Sequence, residues 1–175
     1  VEVRNATVDD AQAIETIRVR GWQHAYRHVF PAEQLDAMPV DWSRWATRIC
    51  DPPVKWTILV AGDPVVGFAA TGPSRDDDGL DGVGELYGIY VDPDAWGAGA
   101  GRALIAAAED ALARDFAEAT LWVLEDNPRA RRFYELAGWA WDGTRKVDAF
   151  LGVDAAEVRY RRPLAHPRHD SGTDT

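Results

Sequence analysis

Only one cysteine and one methionine occur among 175 residues. A lone thiol, Cys50, closes no internal disulfide. Its place in "WATRIC", among apolar residues, predicts a buried, inert group in a reducing cytoplasm. No run approaches the roughly 18–20 apolar residues that cross a bilayer. The opening "VEVRNATVDD" lacks the basic and apolar regions of a secretory signal. Both absences predict a cytoplasmic protein off the membrane. Positive charge is scarce too: 19 Lys and Arg against 29 Asp and Glu give a formal net charge of −10. Duplex nucleic acid, which demands clustered Lys and Arg, is disfavoured as a partner. The acidic surplus, with Asp76, Asp77 and Asp78 as a local run, reads first as solubility. Attraction for a cationic substrate is the weaker reading.

Apolar residues are plentiful, at 46%, and eight Trp add bulky surface that needs cover. That suits one domain with a true core, expected over residues 1–164. Residues 165–175, "AHPRHDSGTDT", hold too little apolar surface to pack and read as a flexible tail. Periodicity predicts a strand in "VEVRNA", then a helix capped by Thr7 or Asp9. Ile14, Ile17, Gly21 and Ala25 share one face of that helix; Trp22, Tyr26 and Phe30 form a neighbouring stripe. Pro31 opens a second helical stretch that pauses at Pro39 and resumes at "DWSRWATRI". "KWTILVA" and "PVVGFAATG" flank a turn at Gly62-Asp63-Pro64 and read as a hairpin. "SRDDDGLDG" reads as an exposed loop, and "VGELYGIYV" as a central strand. "GRALIAAAEDALARD" is a helix burying Ala103, Leu104, Ala107, Ala108, Ala111 and Leu112. "EATLWVL" is a strand, "NPRARRFYELAG" a helix stopped by Gly138, and "WAWDGTR" and "AEVRYRRPL" are closing strands. The order predicts a mixed α/β sheet with helices on both faces.

Between a strand and a helix lies "DPDAWGAGAGRAL". A helix N-terminus carries unpaired N–H groups and about half a positive charge. Alternating Gly97, Gly99 and Gly101 would let such groups approach an anion closely, so a phosphate or diphosphate is the natural guest. The loop lacks the Gly-Lys-Ser/Thr ending of a Walker loop, and residue 102 is not the third Gly of a dinucleotide fingerprint. A plain tight turn is the competing reading.

"IYVDPDAWGAGAGRAL" resembles the acetyl-CoA loop of the GCN5-related N-acetyltransferases (GNAT), and "EDNPRARRFYELAGW" resembles their second signature. The resemblance extends from Val3 to about Leu164. It implies the fold of that superfamily: a twisted mixed sheet of about seven strands, with "VGELYGIYV" and "EATLWVL" splayed apart. It also implies acetyl-CoA as co-substrate, a primary amine as acceptor, direct attack in a ternary complex, and no metal. The departure is Trp96, which stands where the family pattern has Gln or Arg, so one polar side chain near the diphosphate is missing.

By the same resemblance, main-chain groups of Ile89 and Val91 pair with the pantetheine arm, and the Val91 N–H faces the thioester oxygen. The N–H groups of Gly97, Ala98, Gly99, Ala100, Gly101 and Arg102 hold the diphosphate. Asn127 bonds the arm or caps the helix at Pro128. Tyr134 protonates the leaving thiolate, or merely packs beside Phe133. Glu85 is the base, acting through water, or a solvated loop end; Glu125, Asp92 and His24 are in reserve. Trp22, Tyr26, Phe30 and Trp42 are candidates to line an acceptor pocket, or core. His24 and His28 share i, i+4 spacing, but no third metal ligand accompanies them. Dimers are common among similar proteins, and Trp serves interfaces well, so a homodimer is one expected state. A non-catalytic CoA-binding module is the alternative function.

Overall fold

The computed structural model describes residues 1–78 and 82–165. The expected tail from His166 and part of the "SRDDDGLDG" loop lie outside them. The strands are β1 (Val3–Asn5), β2 (Thr57–Ala61), β3 (Gly67–Pro73), β4 (Val83–Val91), β5 (Glu118–Leu124), β6 (Ala140–Phe150) and β7 (Val153–Pro163). They form one seven-stranded sheet in the order β1-β2-β3-β4-β5-β7-β6. All neighbours run antiparallel except β4 and β5, which are parallel. The helices are α1 (Ala11–Ala25), α2 (Ala32–Asp36), α3 (Ser43–Cys50), α4 (Ala100–Leu112) and α5 (Pro128–Leu136).

The parallel pair requires a crossover, and α4 supplies it. One face of the sheet packs Ile58, Val60, Phe68 and Ala70 against Ile14, Ile17 and Trp45 of α1 and α3. The other packs Leu59, Ala69, Leu86 and Leu121 against Leu104, Ala108 and Leu112 of α4. Leu104 is fully buried, and burial of such a side chain contributes about 2 kcal/mol. A third, smaller cluster joins Phe30, Leu35, Leu124 and Ala155, with Trp22 and Phe150 against it. It ties the end of α1 to the β6–β7 hairpin.

Several local expectations change. α1 is opened by a Thr7–Asp10 pair rather than by Asp9: the Thr7 N–H donates to the Asp10 carboxylate at 2.7 Å. The Arg4 guanidinium, helped by Thr7, holds that carboxylate at about 2. Cys50 is exposed, because α3 turns Trp45 inward and its last residue falls away from that face. On α4, Ala100 and Ile105 are buried while Ala103 and Ala107 are only partly so. β6 and β7 reach further toward their shared turn than their apolar residues suggest, with Arg145 to Phe150 paired against Val158 to Val153.

Candidate active site

The site begins with an extra residue. Ala70 pairs with Gly88 and Thr71 with Leu86, which leaves Tyr87 as a bulge on β4. A bulge bends its strand and raises its twist. Pairing of β4 with β5 ends at Glu85–Thr120, and beyond the bulge the two strands part. The Asp92 N–H donates to Val66 on the β3 side at 2.8 Å. Backbone groups alternate along a strand, so those of Val91 and Ile89 face the open side. The Val91 carbonyl there accepts from the Trp96 indole N–H at 2.9 Å. The expected splay and the exposed main-chain edge are thus both present.

At the far end of β4 the loop and the start of α4 present donors. Gly97 and Gly99 have φ of +84° and +91°, left-handed values that suit glycine. A Cβ at either would meet nothing within 4 Å, so both face open space. Among the described residues, no main-chain carbonyl accepts from the N–H of Gly97, Gly99, Ala100, Gly101 or Arg102. Ala98 departs from the expected set: its N–H turns back to Ala95 at 3.4 Å and it does not line the cleft.

A cavity of about 720 Å³ runs from this loop between β4 and β5. Tyr134, on α5, lines it and is 7% exposed. Among the described residues its hydroxyl has no hydrogen-bond partner, yet no buried side-chain polar atom is left unsatisfied. The hydroxyl therefore opens onto the cavity. Burial pushes its pKa above the ordinary phenol value, with Tyr90 and Tyr26 adding to the effect. Asn127 takes the capping role: its Oδ1 accepts from the Ala130 N–H at 3.0 Å at the start of α5, and the residue also lines the cavity. Its Nδ2 donates to the Tyr26 hydroxyl at 3.1 Å.

The aromatic stripe divides. Trp22 and Tyr26 line the cavity, and the Trp22 indole donates to the Tyr90 hydroxyl at 3.2 Å. Phe30 does not line it: α1 ends at Ala25, and the chain turns Phe30 into the third core cluster. Trp42 stands 45% exposed at the start of α3, away from the cavity. His24, Asp92 and Glu125 are also absent from the lining. His24 packs edge-on against Trp96, while Asp92 and Glu125 pair with Arg20 and Arg145.

The opposite end of the cavity is charged. Glu85 is 1% exposed, not a solvated loop end. Its carboxylate accepts from the Arg75 main-chain N–H at 2.8 Å and from the Arg75 guanidinium at 2.6 Å. Arg75 in turn lies over the Tyr87 ring at 4.2 Å. Lys146 sits 4.3 Å over the Trp122 ring and pairs with Asp148 at 3.0 Å and Glu157 at 3.4 Å. Asp76, expected in a solvated run, is pinned by Arg159 at 3.0 Å and by the Trp122 indole at 2.8 Å. Among the described residues no group of three potential metal ligands occurs.

Fold and cleft together define a mixed-sheet protein with a long cleft between two parted strands and main-chain N–H donors at one end of it. The sequence profile of the acetyltransferase (GNAT) family matches residues 17–139, and the chain belongs to that family. An uncharacterized N-acetyltransferase of Bacillus subtilis, YuaI, is 35% identical, over 73% of this chain and 74% of its own. Two solved structures share the fold. One is yncA of Salmonella typhimurium with acetyl-CoA: 19% identity, TM-score 0.73, 95% of each chain. The other is the PaiA N-acetyltransferase of Thermoplasma acidophilum with coenzyme A: 18% identity, TM-score 0.73, 93% of this chain and 98% of that one.

Proposed function

We propose that the protein transfers the acetyl group of acetyl-CoA to a primary amine, with both substrates in the cleft at once. The observation that carries this is the run of N–H groups at Gly97 and Gly99–Arg102, without main-chain partners among the described residues, in one cavity with the Tyr134 hydroxyl. The residues present fit such a donor. Open N–H groups at a helix N-terminus suit a diphosphate. The open edge at Ile89 and at the Val91 N–H suits the amides of an extended arm. Both neighbours solved with CoA or its acetyl ester share the fold.

Acetyl-CoA supplies an acetyl group activated as a thioester. An amine near pKa 10 arrives as ammonium. Among the charged side chains lining the far end, the carboxylates Asp76, Glu85, Asp148 and Glu157 outnumber the cations Arg75 and Lys146, which favours a cationic guest. Glu85 takes the ammonium proton, directly or through water. The nitrogen then forms its bond to the acetyl carbon as the carbon–sulfur bond breaks; Tyr134 gives its proton to the departing sulfur, and the proton the acylated nitrogen sheds passes through water to restore the Tyr134 phenol. Arg75 fixes the Glu85 carboxylate in place. Along β4, Glu85 and Val91 stand roughly 20 Å apart at the usual rise per residue. The Ile89 N–H, two residues nearer the bulge, is therefore the better donor to the thioester oxygen than Val91.

Release of free thiol from acetyl-CoA, measured against a panel of amines, tests this reading. Turnover with at least one amine is expected. Glu85→Gln should lower kcat on the order of 10²-fold. Coenzyme A binding without turnover on any amine would instead favour the non-catalytic module.

A further inference from the structure

We infer that Arg129, seated on the ring of Trp96, supplies the charged side-chain contact to the donor's diphosphate that the family pattern assigns to residue 96. This rests on the reading that coenzyme A occupies the cleft. Trp96 replaces a polar group, and its indole cannot accept or carry charge. It is held in place instead: the N–H donates to the Val91 carbonyl at 2.9 Å, and His24 packs against the ring at 4.7 Å. Onto that ring comes the Arg129 guanidinium, with its carbon 3.4 Å from the ring centroid. Stacking on an indole leaves the edge N–H donors of a guanidinium free and removes much of its freedom to wander.

Three further observations point to an anion beside this guanidinium. Arg129 lines the same cavity as Gly97, Gly99 and Gly101. It is the second residue of α5, where a cation meets the positive end of the helix and is disfavoured unless an anion accompanies it. No ion pair joins it to Asp126, the carboxylate nearest in sequence; Glu125 is engaged with Arg145 at 3.0 Å and Glu135 with the Tyr160 hydroxyl at 2.7 Å. Among the described residues Arg129 has no ion-pair partner. Arg102, at the start of α4, shares that condition and lines the cavity too. Two helix starts and two uncompensated guanidinium groups thus converge on one opening. A diphosphate matches their chemistry, because paired N–H donors fit phosphate oxygens.

Calorimetric titration of the whole protein with coenzyme A, at several salt concentrations, tests the assignment. Arg129→Gln is expected to weaken binding about tenfold or more, the scale of one charge-assisted hydrogen bond, and to flatten its salt dependence. Arg129→Lys, which keeps the charge but loses the stacking and the paired donors, should weaken binding less than Arg129→Gln and keep the parent's salt dependence. Arg129 is exposed, so neither change should lower the unfolding midpoint appreciably. Parent-like affinity in Arg129→Gln would overturn the inference and leave the proposed function standing. Equal weakening in both variants with an unchanged salt slope would overturn it as well, since packing rather than charge would then be at work. If the parent itself fails to bind coenzyme A, the proposed function fails first and the inference with it.

Discussion

Tyr134→Phe leaves the protein as stable as its parent but lowers kcat roughly 10²- to 10⁴-fold, the usual worth of a positioned acid. The phenol is 7% exposed, and the ring packs in the larger core cluster. Its hydroxyl has no partner among the described residues, so phenylalanine orphans no buried group. Nothing in the core is lost, and only the proton is missing. KM for acetyl-CoA should change little, because the donors at Gly97–Arg102 remain. The sign of the pKa shift adds a second expectation. Burial raises the Tyr134 pKa, so the acid form persists past the ordinary phenol value of about 10. The parent's kcat should accordingly show no loss from Tyr134 ionisation below about pH 10. Steady-state kinetics and urea unfolding of the variant check both halves. A parent-like kcat would remove Tyr134 from the chemistry.

The largest effect on stability is expected at Arg159. Its side chain is 6% exposed and meets Asp78 at 2.7 Å, Asp142 at 2.7 Å and Asp76 at 3.0 Å. Arg159→Leu would leave Asp76 and Asp142, only 15% and 14% exposed, with their main counter-charge gone. Leaving buried charge unpaired costs about 3–5 kcal/mol; partial exposure here brings the expectation to about 2–4 kcal/mol. Urea unfolding at neutral pH measures it, and a change under about 0.5 kcal/mol, the size of an ordinary surface substitution, would contradict it. Acid unfolding should change as well. The Arg159 pair holds Asp78 below its ordinary 3.8. At Asp142 burial acts upward, but bonds from Thr144 and Arg159 outweigh it and lower the value. Depressed carboxylates lend stability that is complete above 3.8 and lost as pH falls through the folded-state values. The variant's stability should fall less steeply in acid than the parent's. Because Arg159 pins Asp76 beside Arg75, a loosened loop should also disturb Glu85, and kcat with it.

The two strands that frame the cleft are legible to the residue. "VGELYGIYV" and "EATLWVL" are apolar runs bounded by loop residues, and β4 and β5 coincide with them. The glycine loop was legible because bare backbone before a helix has few uses. The bulge at Tyr87 was not: one extra residue leaves no mark on composition, yet it puts Leu86 with Ile89 and Val91 on one face and Tyr87 with Tyr90 on the other. Helical spacing grouped Phe30 with Trp22 and Tyr26, but the helix stops five residues short of it. The far half of β6 carries only a short alternation, Lys146-Val147-Asp148-Ala149, with no turn signal to join it to "WAWDGTR". Lys146 and Asp148 join Glu157 in lining the charged end of the cavity. The partners of Arg159 lie some 80 residues away in sequence for Asp76 and Asp78, and no local pattern announces such a pairing. Trp96 marked a departure from the family, while the residue that stands over it became visible only in three dimensions.

A crystal structure of the protein with coenzyme A tests the central claim most directly. The diphosphate is expected on the N–H groups of Gly97 and Gly99–Arg102, the arm along Ile89 and Val91, and the sulfur within hydrogen-bond reach of the Tyr134 hydroxyl. A diphosphate bound elsewhere, or a sulfur far from that phenol, would contradict it.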